Sequence, residues 1–391
     1  MIELKTFWLI LVCLYLFTAG VLVLTKHPQK KINILNVVVV IIIAISSFFL
    51  DIHYGNYDDI IRISDEIYTA KYHGYDWLAL HYIGSPLTAP FYYLGVVLGD
   101  TRYVSCIATF CTYSLQFFSL YSFVKRKKIG AIPFVAASCL LFNATYITSC
   151  AFNIRFTLAL AIIFFAIELN DTGKTKFALV LMLVSCTLHK GALPIVVIYL
   201  LVRYLNDYGY KITLLISLLW GCFVSAFSFV MMKTGVPFLV SFGQSANRYF
   251  IVGDDFDKHQ TTNQWIIKIV FVCFLFFISY LLRQKKENVT FLHGKMLVAF
   301  TLFSAGCLPM GYTALARYSL FGVCYSVFSV GHLLNGYING THKTMMKNKE
   351  FYLNIIIIIC FIVFMIYCNY SSVYPKYYLN FEYPQFFSYQ F

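Results

Sequence analysis

Between Phe177 and Val202 the chain reads FALVLMLVSCTLHKGALPIVVIYLLV, and the number of times this stretch crosses a bilayer decides the topology of everything after it. It is long enough for one crossing, at about 1.5 Å per residue of helix. One crossing would, however, strand Arg283/Lys285/Lys286 and Lys343/Lys347/Lys349 on the side opposite Lys26/Lys30/Lys31 and Lys125/Arg126/Lys127/Lys128. Basic clusters between apolar segments mark cytoplasmic loops, so all four belong together. Two short helices hinged near His189, Lys190 and Gly191 meet that condition.

The same reasoning fixes a second ambiguous stretch. The segment from Asp51 to Tyr103 begins and ends on the outer side, so residues 84–101 do not cross. Their apolar part, Phe91 to Leu98, is also much shorter than the roughly 20 residues a helical span needs. It is expected to be interfacial or re-entrant. The reading that results is an all-α, polytopic membrane helix bundle of about 12 membrane helices with both termini outside. It forms a single integral membrane domain over residues 1–391, with two long outer loops at about 51–103 and 233–264.

Composition supports this class and excludes others. Hydrophobic residues make up 60% of the chain and charged residues 12%, against roughly 45–50% and 25% in soluble domains. The net charge of +13 sits in short runs between apolar stretches, which points to the lipid bilayer and away from nucleic acid. The run from Trp8 to Leu24 is followed, not preceded, by its positive charges and lacks a small-residue cleavage site. It reads as an uncleaved first span. Twelve cysteines contain no CxxC pair, and most lie inside apolar runs, so neither a disulfide framework nor a zinc site is signalled. P-loop, dinucleotide, HExxH and GxSxG motifs are missing, which argues against an ATPase or a zinc protease.

Ionisable groups at membrane depth are costly and therefore functional candidates. Arg155 and Arg317 fall at outer helix ends, and His189 and Lys190 at the hinge, where a helix break is tolerated only beside protein or a wet cavity. Basic groups from distant parts of the chain thus share one face. They suit an anion at the outer leaflet, most naturally a diphosphate, since arginine's planar fork meets phosphate oxygens bidentately and keeps its charge. Arg248 in the second outer loop is a further candidate, or else a solvated charge. Asp58 and Asp59, with Asp65 and Glu66 nearby, are either a general base, a metal-binding pair or a solvated acidic face. Outer-loop rings such as Tyr57, Tyr68, Tyr72, Tyr75, Trp77 and Tyr82 fit an interfacial belt or a surface on which sugars stack.

The stretch Asn153-Ile154-Arg155-Phe156-Thr157-Leu158-Ala159, followed by Thr187-Leu188-His189-Lys190-Gly191-Ala192-Leu193, resembles the EpsG-like group of O-antigen and exopolysaccharide polymerases (Wzy). The segment from Tyr57 to Tyr68 and the run Gly84-Ser85-Pro86-Leu87 resemble the first outer loop of that family. Lys190-Gly191 departs from the small or hydroxyl residues expected after the histidine. The resemblance implies the fold of the C-superfamily of membrane glycosyltransferases, in the bacterial inner membrane with the active face outside. It implies transfer of a growing glycan from undecaprenyl diphosphate onto a new lipid-linked repeat. No sugar nucleotide, cofactor or essential metal is then expected, and a chain-length regulator is an expected partner.

On this reading Arg155, Arg317, Arg248 and Lys190 bind diphosphate. His189 is either the base for the acceptor hydroxyl or a further phosphate donor, and Asp58 or Asp59 is the rival base. Two other readings stand beside it: a transferase using a lipid-monophosphate sugar with a metal at Asp58/Asp59, and a flippase for the same lipid-linked sugar. A transporter often shows two similar halves, which this sequence does not.

Overall fold

The computed structural model describes residues 2–51, 59–204, 211–213, 215–216, 220–247, 261–284, 292–308, 311–338, 348–373 and 377–380. They are almost entirely helical. The first two helices, α1 (Leu4–Val23) and α2 (Pro28–Phe48), form a hairpin around the Lys26–Lys31 cluster. The stretch between α2 and the next long apolar helix holds α3 (Asp59–His81) and α4 (Thr88–Leu98). Then follow α5 (Thr101–Arg126), α6 (Ala131–Ala144), α7 (Ile147–Phe152) and α8 (Ile154–Asp171). The decisive stretch contains α9 (Thr175–Leu188) and α10 (Leu193–Tyr204). The remainder comprises α11 (Trp220–Lys233), α12 (Pro237–Asn247), α13 (Thr262–Gln284), α14 (Leu292–Gly306), α15 (Tyr312–Tyr325), α16 (Val327–Ile338) and α17 (Asn348–Cys368).

Among the described residues six helical stretches are long and apolar enough to cross a membrane: Leu4–Val23, Pro28–Phe48, Thr101–Arg126, Thr262–Gln284, Tyr312–Ile338 and Tyr352–Ser371. Their outward faces carry exposed Phe17, Val38, Phe118, Ile266 and Ile356, side chains that only lipid would cover favourably. Among lipid tails apolar burial gives helices little reason to associate. Polar bridges therefore matter here: Trp8 Nε1 donates to Asn143 Oδ1 at 3.1 Å, and Asn36 Nδ2 to Ser138 Oγ at 3.2 Å. Asn369 Nδ2 donates to the Asn143 carbonyl at 3.0 Å.

Short strands fix which ends of these helices share a face. β1 (Ile2–Glu3), β2 (Leu50–Asp51) and β3 (Tyr378–Leu379) form a sheet in the order β1-β3-β2, both pairings antiparallel. Both ends of the described chain and the end of α2 thus meet on one face, as the sequence reading requires. The start of α8 belongs to the same face, because Phe152 packs on Tyr377, ring centroids 5.4 Å apart.

At the opposite end of α8, Glu168 and Asp171 meet Arg126 at the end of α5. Arg126 reaches Glu168 Oε2 at 2.8 Å and also pairs with Asp171. Ser122 Oγ donates to Glu168 Oε1 at 2.8 Å, and the buried His293 of α14 lies 3.1 Å from Glu168 Oε2 and 2.7 Å from the Tyr325 hydroxyl. Glu168, Asp171 and His293 are also the one group among the described residues whose ligand atoms lie close enough to share a metal ion. Arg126 pairs with both carboxylates and offsets one of their two negative charges.

Residues 177–202 form a hinged pair and not one helix. α9 rises from the Asp171 end, and the Leu188 carbonyl accepts from Thr88 Oγ1 at 3.1 Å on the face of the termini. At His189 the backbone turns extended (φ −150°, ψ 123°), a single 3-10 turn covers Lys190–Ala192, and α10 runs back. Tyr199 of α10 accordingly pairs with Asn170 at the far end of α8. Residues 84–101 likewise hold no helix of membrane-crossing length, only the 11-residue α4. α4 stops at Gly99, whose positive φ of 77° suits only glycine well, and Asp100 then caps α5 by accepting from the Arg102 N–H at 2.9 Å.

The segment 51–103, read from sequence as a long loop, carries α3 and α4, with α3 kinked at Gly74 (φ 80°). The apolar run after Gly130 breaks at Thr145, whose φ −93° and ψ 99° end α6 and let α7 start afresh.

Candidate functional site

A cavity of about 370 Å³ opens where the hinge, the start of α8, α3, α12 and α15 meet. Arg155, His189, Lys190 and Arg317 all line it, together with Arg62, His81, Tyr82 and Ser241. Its volume is within the range of small-molecule sites, roughly 300–1,000 Å³. Four segments far apart in sequence therefore bring cations to one place. Arg248 and Asp58 lie outside the described residues, as does the side chain of Asp59, which opens α3.

Each cation is positioned by a distinct local device. Arg155 is in the first turn of α8, and its guanidinium lies over the Tyr82 ring at 4.8 Å and the Tyr92 ring at 5.8 Å. Such stacking holds an arginine through ring electrostatics at about 0.5–2 kcal/mol. Arg317, on α15, lies 5.2 Å over Phe156. Phe156 in turn meets His189 edge-on at 5.1 Å, so one phenyl ring spaces both groups. Lys190 Nζ donates to the Ser241 carbonyl at 3.0 Å, which ties the hinge to α12. The Tyr318 hydroxyl donates to the Gly191 carbonyl at 3.1 Å, which ties it to α15.

The hinge lies outside the six long apolar helices. Burial, and then the charges of Arg155, Arg317, Lys190 and Arg62, hold the His189 imidazole well below its ordinary range, so it is neutral near pH 7. Its Nδ1 accepts the Gly191 N–H at 2.9 Å. The proton of a neutral imidazole is then on Nε2, which has no hydrogen-bond partner among the described residues. Gly191 also allows this arrangement sterically, because a Cβ there would come within 3.0 Å of the His189 ring.

Burial and the neighbouring Arg155 push the Lys190 ammonium down to about 8. The cavity of the free protein therefore loses one positive charge as pH rises through about 8. For an anionic substrate, kcat/KM, which reports the free enzyme, is expected to fall over that interval. A Lys190→Arg variant, whose guanidinium does not titrate there, is expected to lack this limb. An alkaline limb unchanged in Lys190→Arg would remove Lys190 from the anion site.

Sequence reasoning missed Arg62, His81 and Ser241 and gave Glu66 and Tyr82 no defined place. Glu66 is buried on α3 and accepts from the Tyr82 hydroxyl, with Arg62 Nη1 at 3.4 Å and His81 Nε2 at 3.3 Å. The i, i+4 spacing of Arg62 and Glu66 was visible as a helical ion pair. Nothing in the sequence placed that pair beside the hinge.

Neither the curated proteins nor the solved structures include a match to this chain. The family model of the EpsG family matches residues 91–391, which cover α8, the hinge and α15, and the chain belongs to the EpsG family.

Proposed function

We propose that the protein is a polysaccharide polymerase of the O-antigen or exopolysaccharide kind, working at the outer leaflet of a bacterial cytoplasmic membrane. It transfers a glycan chain from undecaprenyl diphosphate onto a new lipid-linked repeat. Membership of the EpsG family and the membrane-crossing helices support the polymerase class. The observation that carries the substrate is the single cavity in which Arg155, Arg317 and Lys190 face a neutral His189.

In such a transfer, negative charge develops on the departing lipid diphosphate. Prepositioned donors aimed at that charge are the largest single aid to reaction in many enzymes. Arg155 and Arg317 supply fork donors, and Lys190 a point charge. The Nδ1 contact to Gly191 favours His189 as an Nε2–H donor to a phosphate oxygen, and disfavours it as the base for the acceptor hydroxyl. The exposed rings Tyr68, Tyr72 and Tyr75 on α3 offer the incoming sugars faces to stack on.

The test is a gel of cell-surface glycan from a strain lacking this gene. Collapse of a ladder to the single-repeat band is the expected result. Loss of that single repeat as well would overturn the proposal, since it would place the protein in building or flipping the repeat.

A further inference from the structure

We infer that His81, oriented by Glu66, is the general base that activates the acceptor sugar; the inference rests on the polymerase reading above. A transfer of this kind needs an acceptor for the hydroxyl proton, and His189 is poorly placed to be one. Its Nδ1 lone pair is engaged by the Gly191 N–H, and its other nitrogen carries the proton. The second histidine of the cavity has the opposite arrangement.

His81 ends α3, lines the cavity and has an exposed side chain. Its Nε2 lies 3.3 Å from Glu66 Oε1, and a carboxylate can only accept there. The Nε2 proton is thereby fixed, and Nδ1 is left as the lone-pair nitrogen. Among the described residues Nδ1 makes no hydrogen bond. The ring is held in place by Trp77, stacked at 5.3 Å and 12°, and meets Tyr82 edge-on at 4.9 Å. Tyr82 is also the ring under Arg155. One aromatic side chain therefore separates the proposed base from the proposed diphosphate clamp.

Glu66 is a positioning residue. Its Oε2 accepts from the Tyr82 hydroxyl, and its Oε1 is shared between His81 and Arg62 Nη1. A base with its orienter and an electrophile-stabilising cation are thus brought together from α3 and α8. Two histidines in one cavity take opposite hydrogen-bonding roles, set by what each one's other nitrogen touches.

The step balances as follows. The acceptor hydroxyl gives its proton to His81 Nδ1 while its oxygen bonds to the anomeric carbon of the donor chain. The bond from that carbon to the diphosphate oxygen breaks, and its electron pair leaves with the lipid diphosphate. Arg155, Arg317 and His189 Nε2–H receive the charge.

The experiment uses the full chain in lipid nanodiscs and, as substrate, the lipid-linked repeat extracted from the strain lacking the gene, with chain length read on a gel. His81→Gln is expected to lower kcat about 10²–10⁴-fold, the usual contribution of general acid–base catalysis, with KM within about threefold of wild type. His81→Ala is expected to regain at least about tenfold with added imidazole, which a misfolded protein would not do. Glu66→Gln is expected to lower kcat about tenfold at constant KM, and Glu66→Asp to recover part of it. A His81→Gln enzyme within about twofold of wild type would overturn the inference and leave the polymerase reading standing. So would a loss confined to KM, or loss in Asp58→Asn or Asp59→Asn with His81→Gln active. Wild-type protein that forms no chain from this substrate would overturn the polymerase reading itself.

Discussion

Arg155→Ala is expected to end chain extension, with a rate at least about 10²–10³-fold below wild type, the range seen when one preorganised donor to a developing charge is removed. Arg155 begins α8 on the face of the termini and lies between the Tyr82 and Tyr92 rings and the cavity. Truncation takes away both the fork and the charge. Arg155→Lys keeps the charge but loses the planar fork, so it is expected to recover only a small part of the rate. The thermal midpoint should move little by comparison, because the stacking lost is worth about 0.5–2 kcal/mol. The measurement is glycan ladder length on complementation, together with a melt of the purified variant. Full activity in Arg155→Ala would sink the diphosphate assignment.

The largest expected stability effect lies at the other end of the same helix. Arg126→Ala leaves Glu168 and Asp171 side by side without their cation, Glu168 almost fully buried. Removing one partner of a buried pair typically costs about 3–5 kcal/mol, because the remaining charge has lost its compensation. A fall of that size should appear as an earlier unfolding midpoint in detergent. Adding Glu168→Gln to Arg126→Ala removes one of the two stranded charges, so the double variant should be more stable than the single one. A midpoint unchanged in Arg126→Ala would show that Ser122 and His293 satisfy the carboxylates unaided.

These two positions also show how far the sequence could be read. The hinge was legible because sidedness must stay consistent from one crossing to the next: four basic clusters are read onto one side, and a turn near His189 allows it. Arg155 and Arg317 were legible as costly charges at helix ends. Arg126 was read only as one charge of a loop cluster, and Glu168 was hidden near the end of an apolar span, because their relation lies between helices. The Glu66–His81 contact was illegible for a related reason. It depends on how α3, in a segment read as a loop, folds back over the first turn of α8. Local pattern reports which residues are expensive to bury, whereas which of them meet is a property of the packing.

The three-strand clasp has a consequence for how the protein is made. β1 and β2 precede most of the helices in the chain, and β3, the strand to which both are bonded, follows every described membrane helix. Until Tyr378 and Leu379 have been translated, Ile2–Glu3 and Leu50–Asp51 lack the strand they pair with here. The clasp therefore closes only after the described helices have been translated. A ribosome that stops short of it would release a bundle whose first hairpin is held by side-chain contacts alone, an early substrate for membrane quality-control proteases.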